Sequence, residues 1–235
     1  MTTGNGLDNT EIIDLSGNCD TFLSNFPKKF RGTTGQLLND NVIICGGCSS
    51  NYSIFSSDCF ILRKGATSFE NFLSMKVARS NAKSVITQGH IWITGGYDHD
   101  GNTRLSSTEY IPKSSTNAPN LPEPVESHAI IDINETTTML IGGYTNTNLE
   151  SPNTYYFNHQ SKTWKSGPCL ITGRNQHTAG LIRDHVTHTQ HIVVAGGLRT
   201  VATHDVAVDS VELLHNGESQ WKEGIYFFES FLVCM

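Results

Sequence analysis

Three groups of residues in this chain have types and spacings that hold metal ions in other settings. Cys45-Gly46-Gly47-Cys48 carries two thiols at a C-x2-C spacing, at which thiolate pairs bind zinc. No second pair of that kind is present to complete four ligands. His185, His188 and His191 form an H-x2-H-x2-H run, and imidazole clusters suit transition metals. A polar insertion between two strands accounts for them equally well. Asp98, Asp100, Asn102 and Glu109 stand at positions 1, 3, 5 and 12 of a calcium-type loop, but its glycine falls at the fourth position instead of the sixth. No G-x-S-x-G elbow, phosphate loop or H-E-x-x-H occurs. The expectation is a chain without metal, cofactor or catalytic residues.

The elements that position these residues repeat. A β-branched or apolar run ending in Gly-Gly occurs as VIICGG at 42–47, IWITGG at 91–96, TMLIGG at 138–143 and IVVAGG at 192–197. The pairs are Gly46-Gly47, Gly95-Gly96, Gly142-Gly143 and Gly196-Gly197, and their first members are 49, 47 and 54 residues apart. A second strand-like run follows each: DCFIL at 58–62, STEYI at 107–111, NTYYF at 153–157 and SVELL at 210–214. A bulky aromatic lies eight residues further on, from Ile61 to Phe69, Tyr156 to Trp164 and Leu213 to Trp221. Another segment precedes each Gly-Gly, opening with Arg31, Arg79 and Arg174, with Val125 in the third unit. No segment sustains a 3.6-residue period, so the chain reads as all-β. Four strands, a to d, in units near 50 residues describe propeller blades.

On these residues, with Glu109-Tyr110 added, the chain resembles the kelch-repeat family of β-propellers over residues 10 to about 224. The resemblance implies a half-blade at 10–30 and blades at about 31–78, 79–124, 125–173 and 174–224. These lie between an N-terminal tail at 1–9 and an apolar tail at 225–235. The small residues Gly32 to Gly35, Ser80 with Ala82, and Thr178 to Gly180 suit crowded inner strands. The second unit has Ala118 at its aromatic position, so its outer strand is expected to be short or absent. TEIIDL at 10–15 aligns with the c strands, and only 14 residues follow Trp221. The expectation is therefore an incomplete or open ring, cut short as a gene product or splice form. Its unpaired edges would favour self-association.

Adjacent strands run antiparallel, so the d–a and b–c connections share one face. The resemblance implies that partner peptides bind there. That face gathers Arg31, Arg79, Arg174 and His177 from the starts of a strands. It also gathers Tyr52, Tyr97, Tyr144 and Arg199 from the loops after Gly-Gly. Guanidinium groups pair bidentately with carboxylates and tyrosine adds rigid contact area, so the partner expected is an acidic protein segment or peptide. The competing role for each arginine is to brace backbone carbonyls. The family resemblance implies a non-catalytic interaction module: a substrate receptor of a cullin-type ubiquitin ligase, or an actin-associated scaffold. Its rivals are a propeller enzyme of copper-oxidase or sugar-processing type and a non-functional fragment.

Composition narrows the classes. Lys and Arg total 16 against 22 Asp and Glu, a net charge of -6, which argues against a nucleic-acid binder. No apolar run approaches the roughly 20 residues of a membrane helix, and the N-terminus lacks a signal-peptide pattern. A cytoplasmic protein is expected, with its six cysteines reduced.

Overall fold

A computed structural model describes residues 23–98, 100, 102–112, 118–147, 149–184, 188–215 and 217–224, and the backbone of 12–13 and 19–20. The described residues contain strands and no helix. None of their elements is a helix long and apolar enough to cross a membrane. The chain divides into two compact units, Met1–Glu126 and Ser127–Met235.

The first unit holds two blade-like sheets. One is built in the order β1 (Thr34–Leu38), β2 (Asn41–Cys45), β3 (Asp58–Leu62) and β4 (Glu70–Ser74). The other contains β5 (Lys83–Thr87), β6 (His90–Thr94) and β7 (Thr108–Ile111). Strand β2 is apolar without alternation because both its faces are covered. Ile43 and Cys45 join Cys59, Ile61 and Met75 against Ala82, Ile91, Ile93 and Ile111 of the second sheet. Ile44 faces the other way, into Phe26, Phe60, Leu62 and Phe69. Burying each such side chain contributes about 1.5–3 kcal/mol. The second sheet has three strands among the described residues, and 113–117 lie outside them.

The second unit repeats the plan with four strands in each sheet. These are β8 (Ala129–Asn134), β9 (Thr137–Ile141), β10 (Thr154–Asn158) and β11 (Thr163–Ser166). Then come β12 (Thr178–Arg183) and β13 (Gln190–Ala195), a projecting hairpin of β14 (Leu198–Val201) and β15 (His204–Ala207), and finally β16 (Val211–His215) and β17 (Lys222–Glu223). Met139 and Ile141 pack on Ile192, Val194, Leu214 and Trp221. The Trp221 indole N–H donates to Pro168 O at 2.9 Å, tying the outer strand to the preceding sheet. Trp164 is half-buried beside Phe157, with ring centroids 5.0 Å apart.

The Gly-Gly pairs are required by close approach. Gly46 has φ +71°, and a Cβ there would lie 2.5 Å from the Arg79 carbonyl oxygen of the next sheet. Gly47 N donates to that same oxygen at 2.9 Å. A second left-handed position precedes each inner strand, at Gly32, Asn81, Ser127 and Gln176. Within each unit it stitches neighbouring sheets: Asn81 N donates to Gly32 O, and Gln176 N to Ser127 O, both at 2.8 Å.

The expectation of reduced thiols is corrected for one pair. Cys45 and Cys59 are direct partners in the β2–β3 register and form a disulfide across it. The cause is register: the residue before Gly-Gly stands opposite the second residue of strand c, so both side chains share a face. Cys48 is a buried thiol and Cys169 an exposed one. Ile12–Ile13 pairs with Cys19–Asp20; the remainder of 1–22, His185 and the tail 225–235 lie outside the described residues.

Candidate functional site

The residue after each Gly-Gly turns back to pair with the segment that enters the inner strand. Cys48 stands opposite Arg31, Tyr97 opposite Ser80 and Leu198 opposite Asn175. These pairs align the units, and they move one expected residue. Arg79 and Arg174 are each the residue before the paired one, and in the first sheet that position is Phe30. Arg31 is therefore one residue out of step with the other two arginines. A slip of one residue sends a strand side chain to the opposite face.

The two in-step arginines are structural, which corrects their assignment to partner binding. The Arg79 side chain has no solvent exposure. It donates to Gly95 O and Ser107 O, both at 2.8 Å, and to Glu109 Oε1 at 2.9 Å. Glu109 in turn accepts from the Lys76 and Val77 backbone N–H groups, leading in from the preceding sheet. Burial pulls the Arg79 guanidinium below its usual pKa, with Glu109 acting in the other direction. Arg174 repeats this with Gly196 O, Ser210 O and Glu212, and Glu212 accepts from Ile171 and Thr172 N–H. Each clamp closes a Gly-Gly end and joins two sheets. Its burial leaves nothing for a ligand to touch. Glu109 is thereby committed to the fold instead of to calcium, and Cys45 to Cys59 instead of to zinc. His177 is also buried, at 5% exposure.

Arg31 has a different environment. Its guanidinium carbon lies 3.6 Å from the ring centroid of Tyr52, which is 51% exposed on the b–c loop. Among the described residues its Nε has no hydrogen-bond partner, and no carboxylate forms an ion pair with it. Arg63, Arg79, Arg104 and Arg174 each have one. Arg31 also contacts the Cys48 thiol, which burial pushes up in pKa while hydrogen bonds to Ser80 and Arg31 act in the opposite sense. Burial thus favours the protonated thiol at Cys48.

From Arg31 a strip of apolar and aromatic groups continues. Cys48 bridges to Phe55, the Phe55 ring lies 5.9 Å from Tyr97, and Ile54 is 57% exposed beside them. The Tyr97 hydroxyl donates to Asn102 Oδ1. At the far end Glu126 is neutralised by Arg104, at 2.9 Å, and by the Asn81 amide. Among the described residues of this strip, Arg104 is paired with a carboxylate and Arg31 is not. In the second unit Tyr144 is half-buried, and Arg199 is exposed on β14. The described residues contain no group of three or more His, Cys, Asp or Glu side chains placed to hold a metal ion.

Short antiparallel sheets that pack face to face, with buried Arg–Glu clamps at their Gly-Gly ends, define the chain as a β-propeller protein. Residues 78–111, which hold the Arg79–Glu109 clamp, match the kelch motif, and the all-β fold is that of a kelch-type propeller. The solved structure of YjhT is similar in fold, with a TM-score of 0.76 at 13% identity, covering 92% of this chain and 76% of that one. None of the curated proteins compared matches the sequence.

Proposed function

We propose that this chain is a non-catalytic interaction module that takes an acidic peptide segment of another protein on its d–a/b–c loop face. The observation that carries the reading is the Arg31–Tyr52 stack: a guanidinium without a carboxylate partner among the described residues, oriented by an exposed aromatic ring. A planar cation so held presents its remaining N–H groups to a carboxylate in a fixed fork, and the Tyr52–Ile54–Phe55–Tyr97 strip supplies apolar contact beside it. Loops on a rigid scaffold are the usual seat of such contacts. The reading includes a cytoplasmic setting, either as the substrate-recognition part of a ubiquitin-ligase adaptor or as an actin-associated scaffold.

The test is affinity capture followed by mass spectrometry with the wild-type chain and with Arg31→Ala and Tyr52→Ala. Tyr52 is exposed and Arg31 half-buried, so the unfolding free energy of Tyr52→Ala stays within about 0.5 kcal/mol of wild type and that of Arg31→Ala falls by about 1 kcal/mol, both chains remaining folded while recovery of the captured partner falls. Ligase components or actin in the recovered set separate the two settings. Undiminished recovery with both variants overturns the assignment of the strip.

A further inference from the structure

The hairpin that projects from the last sheet presents an open strand edge, and its backbone parity can be read from its neighbours. Val208 N donates to Gly197 O at 2.9 Å, while the N–H and C=O of Leu198 are both taken by Asn175, at 2.8 and 3.0 Å. Hydrogen-bonded and non-bonded pairs alternate along an antiparallel ladder. With Leu198 opposite Ala207 and Thr200 opposite Asp205, the bonded pairs are therefore Arg199 with Val206 and Val201 with His204. The backbone groups of Asp205 and Ala207 consequently point away from β14. Strand β15 has no second neighbour among the described residues, and all four of its residues are exposed.

The hairpin also has two chemically distinct faces. Leu198, Thr200, Asp205 and Ala207 share one, where the Thr200 hydroxyl donates to Glu150 and Asp205. Arg199, Val201, His204 and Val206 share the other. All four are exposed, with Val201 and Val206 at 47% and 42%. That face combines two valines, a guanidinium and an imidazole, and it carries no carboxylate.

Resting on the interaction reading above and deepening it, we infer that β15 is a strand-addition site for an extended acidic segment of a protein partner. The partner's backbone would bond to Asp205 and Ala207, and its outward side chains would set carboxylates beside His204 and Arg199 around an apolar residue on Val206. Strand addition draws affinity from main-chain hydrogen bonds and specificity from alternate side chains. Only the face with Arg199 and His204 lacks a carboxylate, Asp205 lying on the other, so an added strand places its carboxylates on the first.

The probe is a capped nonapeptide, Glu-Ser-Glu-Ser-Val-Ser-Glu-Ser-Glu, titrated into the full chain with amide hydrogen exchange as readout. Exchange at Asp205 and Ala207 slows tenfold or more at saturation. N-methylation of the serines, whose N–H groups face the edge, abolishes the protection, whereas N-methylation of the valine leaves it. Arg199→Glu combined with His204→Glu weakens the peptide at least tenfold and strengthens the version with lysine for glutamate, at unchanged unfolding midpoint. Indifference to peptide charge, or equal binding of the serine-methylated peptide, overturns the proposal. Protection confined to residues 48–55, lost in Arg31→Ala, also overturns it while leaving the interaction module standing. An intact edge response with no partner captured by the full chain defeats the module reading instead.

Discussion

Arg174 donates to Glu212 at 2.6 Å, with side-chain exposures of 0% and 1%. The pair satisfies five backbone groups besides itself: three carbonyls through the guanidinium and two N–H groups through the carboxylate. Arg79 and Glu109 do the same in the second sheet. In the first sheet the corresponding positions are Phe30 and Phe60, and both are buried. The repeat thus tolerates either a hydrogen-bonded ion pair or an apolar pair at this point, and a lone charge suits neither arrangement.

Removing one member should therefore cost more than removing both. Arg174→Ala leaves Glu212 buried and unpaired, a loss of about 3–5 kcal/mol. Arg174→Met with Glu212→Leu keeps the volume and removes both charges, and it destabilises less than either single change. Urea unfolding of the three variants measures this directly, and additivity of the single effects would contradict it.

Gly46 and Gly65 both have left-handed backbones, with φ of +71° and +78°, but only Gly46 faces a neighbour. Gly65→Ala bears the conformational cost alone, about 1–2 kcal/mol. Gly46→Ala adds a collision with the Arg79 carbonyl oxygen, which cannot retreat without breaking its bond from Gly47 N. Its loss of stability exceeds that of Gly65→Ala in thermal melts, with near-native secondary structure retained by circular dichroism only in the latter.

Cys45 and Cys59 close a loop with a sequence separation of 14, and that loop carries Tyr52 and Ile54. Constraint of the unfolded chain by a loop of this size is worth about 3 kcal/mol. Cys45→Ser with Cys59→Ser lowers the unfolding free energy by that order and speeds amide exchange between 47 and 57. Exchange in β16 remains slow.

Much of this architecture can be read from the sequence because each mark follows from one local constraint. Gly-Gly reports a backbone approach, and the eight-residue step to Trp164 or Trp221 reports a c–d hairpin of fixed length. The site is less legible. Arginine at 31, 79 and 174 looks like one periodic feature, yet the structure aligns Phe30 with Arg79. The distinguishing signal was present: Gly32 and Asn81 are residue types that accept positive φ, and aligning them puts Arg31 beside Ser80. The disulfide was also readable in principle. Carrying the b–c register from Thr94–Thr108 back one unit sets Cys45 opposite Cys59. The open edge of β15 depends on hydrogen-bond parity, which no composition or spacing encodes.

A buried polar chain in the third sheet gives the molecule an acid-sensitive point. The Thr138 hydroxyl donates to Asp132 and stands 2.7 Å from His159 Nε2. That geometry makes Nε2–H the donor to the Thr138 oxygen. Thr138 is fully buried and His159 is 7% exposed. Burial holds the His159 pKa below its usual 6.5, with the Asp132 charge opposing, and burial raises that of Asp132. For His159 the folded state prefers the neutral ring. Its contribution to stability is complete above pH 6.5 and is lost as pH falls through the lowered folded value, because the unfolded chain takes up the proton first. Asp132 acts in the opposite sense, favouring the folded state below its ordinary range. His159→Gln keeps an amide donor toward Thr138 and has no proton to gain. Plotted against pH from 7.5 to 5.5, the difference in unfolding free energy between wild type and His159→Gln is level down to about 6.5 and narrows below it. A difference independent of pH over that range would show that His159 titrates alike in both states.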